Sequence, residues 1–135
     1  MLKYRNNLDK KEIYDPIRRK WVKCTEEEEV RQCFILYLLQ KKQIPATHIA
    51  VEKEIKVNGL SKRYDLIVFN RNGDPYLVIE CKAPHVEISQ SVVEQVAVYN
   101  KTLRAPLIGV TNGKSHYFFH INFENNEISY CDFMG

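Results

Sequence analysis

The sequence is poor in the features that would assign it to several common classes. Its four cysteines, Cys24, Cys33, Cys81 and Cys131, include no C-x-x-C pair, so neither a zinc ribbon nor a thioredoxin-like site is indicated. Cys33 and Cys81 fall in apolar stretches and read as reduced, buried structural thiols. The longest apolar run, Cys33 to Leu39, is seven residues, far short of the roughly 20 that cross a bilayer. The N-terminus MLKYRNNLDKKE is charged where a signal peptide would be apolar. Cytoplasmic location with no membrane contact is therefore expected. No G-x-x-x-x-G-K-[ST] occurs, and Asn112-Gly113-Lys114-Ser115 lacks the upstream glycine and loop length of a phosphate cradle, which excludes an ATP-driven motor in these residues. His48, His85, His116 and His120 show no metal-site spacing with acidic partners. There is no internal repeat or low-complexity segment.

What is present suits one folded domain. The chain has 135 residues, 44% of them apolar and 27% charged, enough for a single core and too few for two ordinary domains. Twenty Lys and Arg against 17 Asp and Glu leave only +3, too little to argue nucleic-acid binding by itself. The distribution is more informative. KYRNNLDKK, RRKWVK, KKQ and SKR are locally basic, whereas much of the acid lies in Glu26 to Glu29.

Period and punctuation order the elements. Residues 1–23 read as a polar, irregular extension, with Asp15-Pro16 as a turn and Trp21 and Val22 as anchors onto a domain spanning 24–135. Thr25, followed three residues later by Glu28, is a capping-box signature. Val30, Cys33, Phe34, Tyr37 and Leu38 then recur at helical spacing, which predicts a helix over about 26–42. Beyond Ile44-Pro45 the pattern becomes strands: 49–57, the Asn58-Gly59 turn, 63–69, the Asn72-Gly73 turn, and 76–81, a three-stranded antiparallel meander. Ser89 is placed to cap a helix reaching about Leu103, with Val92, Val93, Val96 and Tyr99 as its apolar face. Strands at 107–110, 117–121 and 128–133 complete the chain. The helix between the third and fourth strands is long enough for a parallel crossover. The expected class is therefore α/β, or α+β, with a mixed sheet flanked by helices.

The polar residues that most need explaining are those set within apolar strands, where an unpaired charge is costly. Asp65 lies in Tyr64-Asp-Leu-Ile-Val-Phe69, and Glu80 and Lys82 end Tyr76-Leu-Val-Ile-Glu-Cys-Lys82. Alternation puts Glu80 and Lys82 on one strand face. If the Asn72-Gly73 hairpin pairs the two strands, Asp65 joins them at the same end. Glu-x-Lys alone is common and reads as a surface ion pair. Two carboxylates and an ammonium at one sheet edge have a chemical use: the carboxylates bind Mg²⁺, which neutralises charge developing on a phosphodiester, and the lysine orients or activates the attacking water.

These residues resemble the motifs of the PD-(D/E)XK phosphodiesterase superfamily: Asp65, then Glu80-Cys81-Lys82 after a hairpin, then Gln95 and Tyr99 on the next helix. More closely, Glu27-Glu28 with Val30-Arg31-Gln32, Arg63-Tyr64-Asp65, Glu80-Cys81-Lys82-Ala83-Pro84, Gln95 with Tyr99-Asn100, and Thr111-Asn112-Gly113 resemble the N-terminal domain of type I restriction enzyme R subunits. The five motifs run in order over about residues 14–120. Glu26 stands where relatives commonly have proline, and the R subunit's motor is missing here. The resemblance implies a restriction-endonuclease-like core with Asp65 and Glu80 as ligands of Mg²⁺ or Mn²⁺, Cys81 lending its backbone carbonyl, and Lys82 acting on the water. Gln95 and Tyr99, one turn apart on one helix face, would support the site or contact a phosphate, as would Arg63. A glutamate from the first helix often joins such sites. Glu27 and Glu28 both qualify, and Glu28 is preferred.

The expected function is thus metal-dependent DNA cleavage, with the basic N-terminal segment on the phosphate backbone. Specificity or motor subunits of a restriction system would be further partners. Cutting both strands of a duplex takes two sites, which a homodimer would supply. The alternatives are a nucleic-acid-binding or assembly module that keeps the fold without cutting, and a different α/β domain in which the triad is a structural ion-pair network.

Overall fold

The computed structural model describes residues 1–134, Val57 by its backbone alone; Gly135, the last residue of the expected domain, lies outside them. Among these residues the chain forms a three-stranded sheet, β1 (Tyr4–Asn7), β2 (Lys10–Asp15) and β3 (Lys20–Lys23), then α1 (Glu26–Gln40). After a single 3₁₀ turn come β4 (Ile49–Val57), β5 (Leu60–Phe69), β6 (Pro75–Cys81), α2 (Gln90–Leu103), β7 (Leu107–Thr111), β8 (His116–Asn122) and β9 (Glu127–Cys131). The six later strands make one mixed sheet in sequence order, β4 to β9, in which only β6 and β7 pair in parallel. The α2 crossover is what permits that parallel pair. Among the described residues no helix is long and apolar enough to cross a membrane.

Each face of the large sheet has its own core. On one, Val30, Phe34, Ile35 and Leu38 of α1 pack on Leu66, Val68, Leu77, Ile79, Cys81 and Phe118. On the other, Val96 of α2 packs with Ile67, Val78, Ile108 and Val110. β7 is buried along its whole length, as a central parallel strand should be. At Gly109 a Cβ would stand 2.4 Å from the Phe118 ring, so the absent side chain leaves room for that aromatic.

Local chemistry explains most boundaries. Thr25 Oγ1 accepts from the Glu28 N–H at 3.0 Å, while the Glu28 carboxylate turns to arginines instead of closing the capping box. Asn58 (φ 52°) and Gly59 (φ 79°) both take positive φ, as a tight two-residue hairpin demands. The second turn is wider than expected. Asn70 Oδ1 accepts from Asn72 and Asp74 N–H, only Gly73 has positive φ, and the register shifts between Val68 and Phe69. Ser89 precedes α2 but bonds Ser91 Oγ rather than capping the backbone. At the far end, buried Asn100 both donates to the Ala105 carbonyl and accepts from its N–H, which turns the chain into β7 without a glycine.

Two expectations change. Residues 1–23 are not irregular: they pair as β1–β2–β3, with Ile13 opposite Val22 and Tyr14 opposite Trp21. Ile13 is fully buried, so alternation turns Tyr14 and Trp21 to the outer side, and Trp21 is no anchor. Cys33 is exposed, whereas Ile35 is buried. The N-terminal segment also meets α1: Ile17 packs against the α1-side core and Arg18 reaches Glu28.

Candidate active site

The candidate site lies where β5 and β6 part. Their ladder runs from Val68↔Leu77 to Leu66↔Ile79, and continuing it by one residue sets Asp65 opposite Glu80. There the side chain replaces the ladder, since the Cys81 N–H donates to Asp65 Oδ2 at 2.8 Å. Pairing on the other side of β5 is also interrupted: Val51↔Leu66 and Lys53↔Tyr64 pair, but Glu52 and Asp65 do not. Glu52 has φ 51°, a costly value for a residue with a Cβ. Leu66 belongs to the α1-side core and Tyr64 to the α2-side core. Strand alternation therefore breaks at Asp65, which aims its carboxylate along the sheet end.

Glu80 and Lys82 share a strand face as alternation requires, with Lys82 Nζ 3.9 Å from Glu80 Oε1. Lys82 N–H donates to the Thr111 carbonyl at 2.8 Å, which ties the strand end to β7. Burial, and then repulsion from Asp65, push the Glu80 carboxyl up to about 8, with Lys82 partly offsetting. Glu27, on the first turn of α1, is also raised, by burial and then by the Asp65 charge, and Lys82 opposes the shift. Two first-helix glutamates thus take different roles. Glu27 senses Asp65 and Lys82. Burial disfavours the Glu28 charge, but Arg31, Gln32 and Arg18 more than offset this and lower its carboxyl.

Behind Asp65 lies a network that the motifs contained without revealing. Arg31 Nη2 lies 2.5 Å from Glu28 Oε1 and 3.1 Å from Glu52 Oε1, and Nη1 is 3.5 Å from Asp65 Oδ1. Arg18 joins Asp15 (2.5 Å), Glu28 (2.9 Å) and Glu52 (3.3 Å). Arg31, Glu28 and Asp15 are buried, so removing one charge would strand its partners. Arg31 stands in Val30-Arg31-Gln32, but the roles of Arg18 and Glu52 had no sequence signal. Gln95 Nε2 donates to Tyr99 Oη at 3.0 Å, and the Tyr99 carbonyl accepts from Tyr64 Oη at 2.8 Å; neither Gln95 nor Tyr99 bonds Asp65, Glu80 or Lys82. Arg63 is exposed and stands 3.6 Å from Glu54. In the Thr111-Asn112-Gly113 motif, Asn112 donates to the Val86 carbonyl and accepts from Lys114 and Ser115 N–H. Gly113 (φ 88°) lies against Val30, which a Cβ would approach to 3.2 Å.

The donor set fits a hard divalent cation. Two neighbouring carboxylates, one raised by burial and then by the charge of the other, are a site whose repulsion a cation would relieve. Among the described residues no group of three or more His, Cys, Asp and Glu side chains could hold a metal unaided. Mg²⁺ does not need one, since it commonly takes one or two carboxylates and keeps several waters.

Comparison with known proteins bears on the fold and the family. The fold is similar to the fragment structure of a chain described as an HsdR subunit of a type I restriction enzyme from Vibrio vulnificus YJ016, with TM-score 0.55 and 18% identity. The match covers 80% of this chain and 23% of that one, so the chain spans about a quarter of the length of that relative. No curated protein matches the sequence. Residues 26–133 match the family model for the type I restriction enzyme R protein N terminus, and the chain belongs to that family.

Proposed function

We propose that the chain is a metal-dependent DNA endonuclease module of the PD-(D/E)XK type. The observation that carries the reading is the meeting of Asp65, Glu80 and Lys82 where the β5–β6 ladder opens, with Glu80 raised to about 8 by burial and by Asp65. Mg²⁺ or Mn²⁺ would be held by Asp65, Glu80 and the Cys81 carbonyl, and when bound it supplies charge neutralisation at the phosphodiester and acidifies bound water. Asp65 keeps its direction through the Cys81 N–H and Arg31. Glu80 would hold the cation as the carboxylate. Lys82, beside Glu80, is positioned to orient the attacking water or hold its proton. Glu27 is the first-helix carboxylate assigned to this centre, in place of Glu28, because the Glu28 oxygens are engaged by two arginines and Gln32. Gln95, Tyr99 and Arg63 are assigned to DNA contact beside the site. DNA is the substrate, and other subunits of a restriction system supply direction and sequence choice.

Plasmid nicking tests this directly. Wild-type protein with Mg²⁺ or Mn²⁺ is expected to nick, and Asp65→Ala and Lys82→Ala to be inactive. Equal inertness of all three over supercoiled, linear and single-stranded DNA would refute it, and salt-dependent binding without cutting would favour a non-catalytic binding module.

A further inference from the structure

The matched family residues begin at 26, so the β1–β2–β3 sheet stands ahead of them. Residues 1–23 also carry the chain's net positive charge. Residues 1–23 contain eight of the 20 Lys and Arg but only three of the 17 Asp and Glu, a balance of +5 in a chain whose total is +3, which leaves −2 for residues 24–135. Sheet register sorts these charges by face. Ile13 and Val22 face the domain, so Arg5, Lys10, Glu12, Tyr14, Trp21 and Lys23 face outward. The Tyr14 N–H donates to the Lys3 carbonyl at 2.9 Å, which extends the β1 register and puts Lys3 outward as well. Four cations thus share this face with one carboxylate, Glu12, which pairs with Arg5 at 2.7 Å. Among the described residues Lys3, Lys10 and Lys23 have no acidic partner within salt-bridge reach. They are spread over roughly 13 Å along the strands, at about 3.3 Å per residue.

A twenty-residue sheet also explains its own aromatics: Tyr14 and Trp21 pack edge to face at 5.3 Å across β2 and β3, which stabilises the pairing. Nothing in the fold calls for the unpaired lysines around them. Arg5 lies over the Trp21 ring at 4.6 Å, so the indole is capped by a guanidinium and is not an open platform for a base. The face offers charge to phosphate rather than stacking to bases.

The sheet is also rigidly tied to the candidate active site. Buried Asp15, at the end of β2, accepts from Ile17 and Arg18 N–H and pairs with the Arg18 guanidinium. Arg18 pairs with Glu28 and Glu52, both of which pair with Arg31, and Arg31 reaches Asp65. A continuous run of charge-assisted contacts therefore connects the sheet to the carboxylate at the sheet end. We infer that the outer face of β1–β2–β3, through Lys3, Lys10 and Lys23, grips the phosphate backbone of duplex DNA and holds it at a set position relative to Asp65 and Glu80. The inference rests on the nuclease reading for the identity of the ligand, but its test needs no cleavage.

The test is anisotropy of a short labelled duplex with the full chain in EDTA, over a range of salt. Lys3→Gln/Lys10→Gln/Lys23→Gln is expected to weaken binding roughly tenfold or more near 0.1 M salt, and to flatten the log–log salt slope by up to about 2.7, at about 0.9 per phosphate contact. Trp21, the single tryptophan, is expected to change its emission on DNA addition. The exposed lysines 53, 56 and 101, changed together to Gln, provide the control with the same net charge. Loss of binding as large in the control as in the sheet variant, an unaltered salt slope, or unchanged Trp21 emission at saturation would overturn the inference. So would tighter binding of single strands than of duplex, or sheet-dependent binding of phosphatidylserine vesicles when DNA binding ignores the sheet. A protein that binds through this face but never cuts refutes the nuclease reading alone; one that cuts but binds independently of these lysines refutes this inference alone.

Discussion

Changing Glu80 to Gln should stabilise the metal-free protein, and the gain should grow with pH. A carboxyl that ionises near 4.5 in the unfolded chain and near 8 in the folded one binds more protons folded than unfolded between those values, so stability falls as pH rises through that window. At about 1.36 kcal/mol per pH interval, the full penalty above pH 8 approaches 5 kcal/mol, an upper limit. The side chain is 24% exposed and Lys82 stands 3.9 Å away, so solvent and the ammonium screen it, and about 1–3 kcal/mol is the realistic range. Gln cannot ionise and escapes that penalty. For a domain of this size about 4 °C per kcal/mol follows. Differential scanning fluorimetry in EDTA should therefore show Glu80→Gln melting several degrees above wild type at pH 8 and close to it at pH 4.5. Excess Mn²⁺ or Mg²⁺ at pH 8 should raise the wild-type midpoint and leave that of Glu80→Gln nearly unchanged, because ligand binding to the folded state stabilises by mass action. A Glu80→Gln protein that is less stable than wild type at pH 8, or a difference independent of pH, would refute the reading that burial, and then Asp65, raise the Glu80 carboxyl.

Glu27 and Glu28 should separate cleanly. Glu27→Gln is expected to lower nicking with a stability change under about 1 kcal/mol, whereas Glu28→Gln should cost roughly 2–4 kcal/mol by leaving Arg31 and Arg18 short of a buried partner, as urea denaturation would measure; equal stability of the two variants would contradict the network. Arg31→Ala should destabilise by about 3–5 kcal/mol and Arg31→Lys by less. Gly109→Ala should cost on the order of 1–3 kcal/mol, since its Cβ would overlap the Phe118 ring; a tolerant midpoint in thermal melts would mean that Phe118 can move aside.

The element order was legible because its signals are local. Thr25 before α1, Asn58-Gly59 at positive φ, and the crossover length of α2 act within a few residues, and the structure keeps all three. Glu80 and Lys82 were placed together by strand period alone. Asp65 was not fixed so simply. Its approach to Glu80 depends on the place where the β5–β6 ladder ends and on the break in alternation opposite Glu52, and both arise from pairing between separate segments. The second turn was expected at Asn72-Gly73, but Asn70 organises it, because a side chain that accepts two N–H bonds widens the loop.

The largest departures come from the first 23 residues. Their polar composition reads as irregular chain, since a small sheet whose one fully buried apolar residue is Ile13 has little hydrophobic signal. Once paired, it sets Ile17 against the α1-side core and brings Arg18 to Glu28. Glu27 and Glu28 are adjacent and chemically identical, so no periodicity could rank them. The sequence by itself determined which residue types could do chemistry and on which strands they sit, because alternation and turn preference are short-range properties of the backbone. Only the tertiary structure decided which carboxylates lie near one another where the β5–β6 ladder opens and which pair with arginine, because that depends on distances between β5, β6, α1 and the N-terminal sheet.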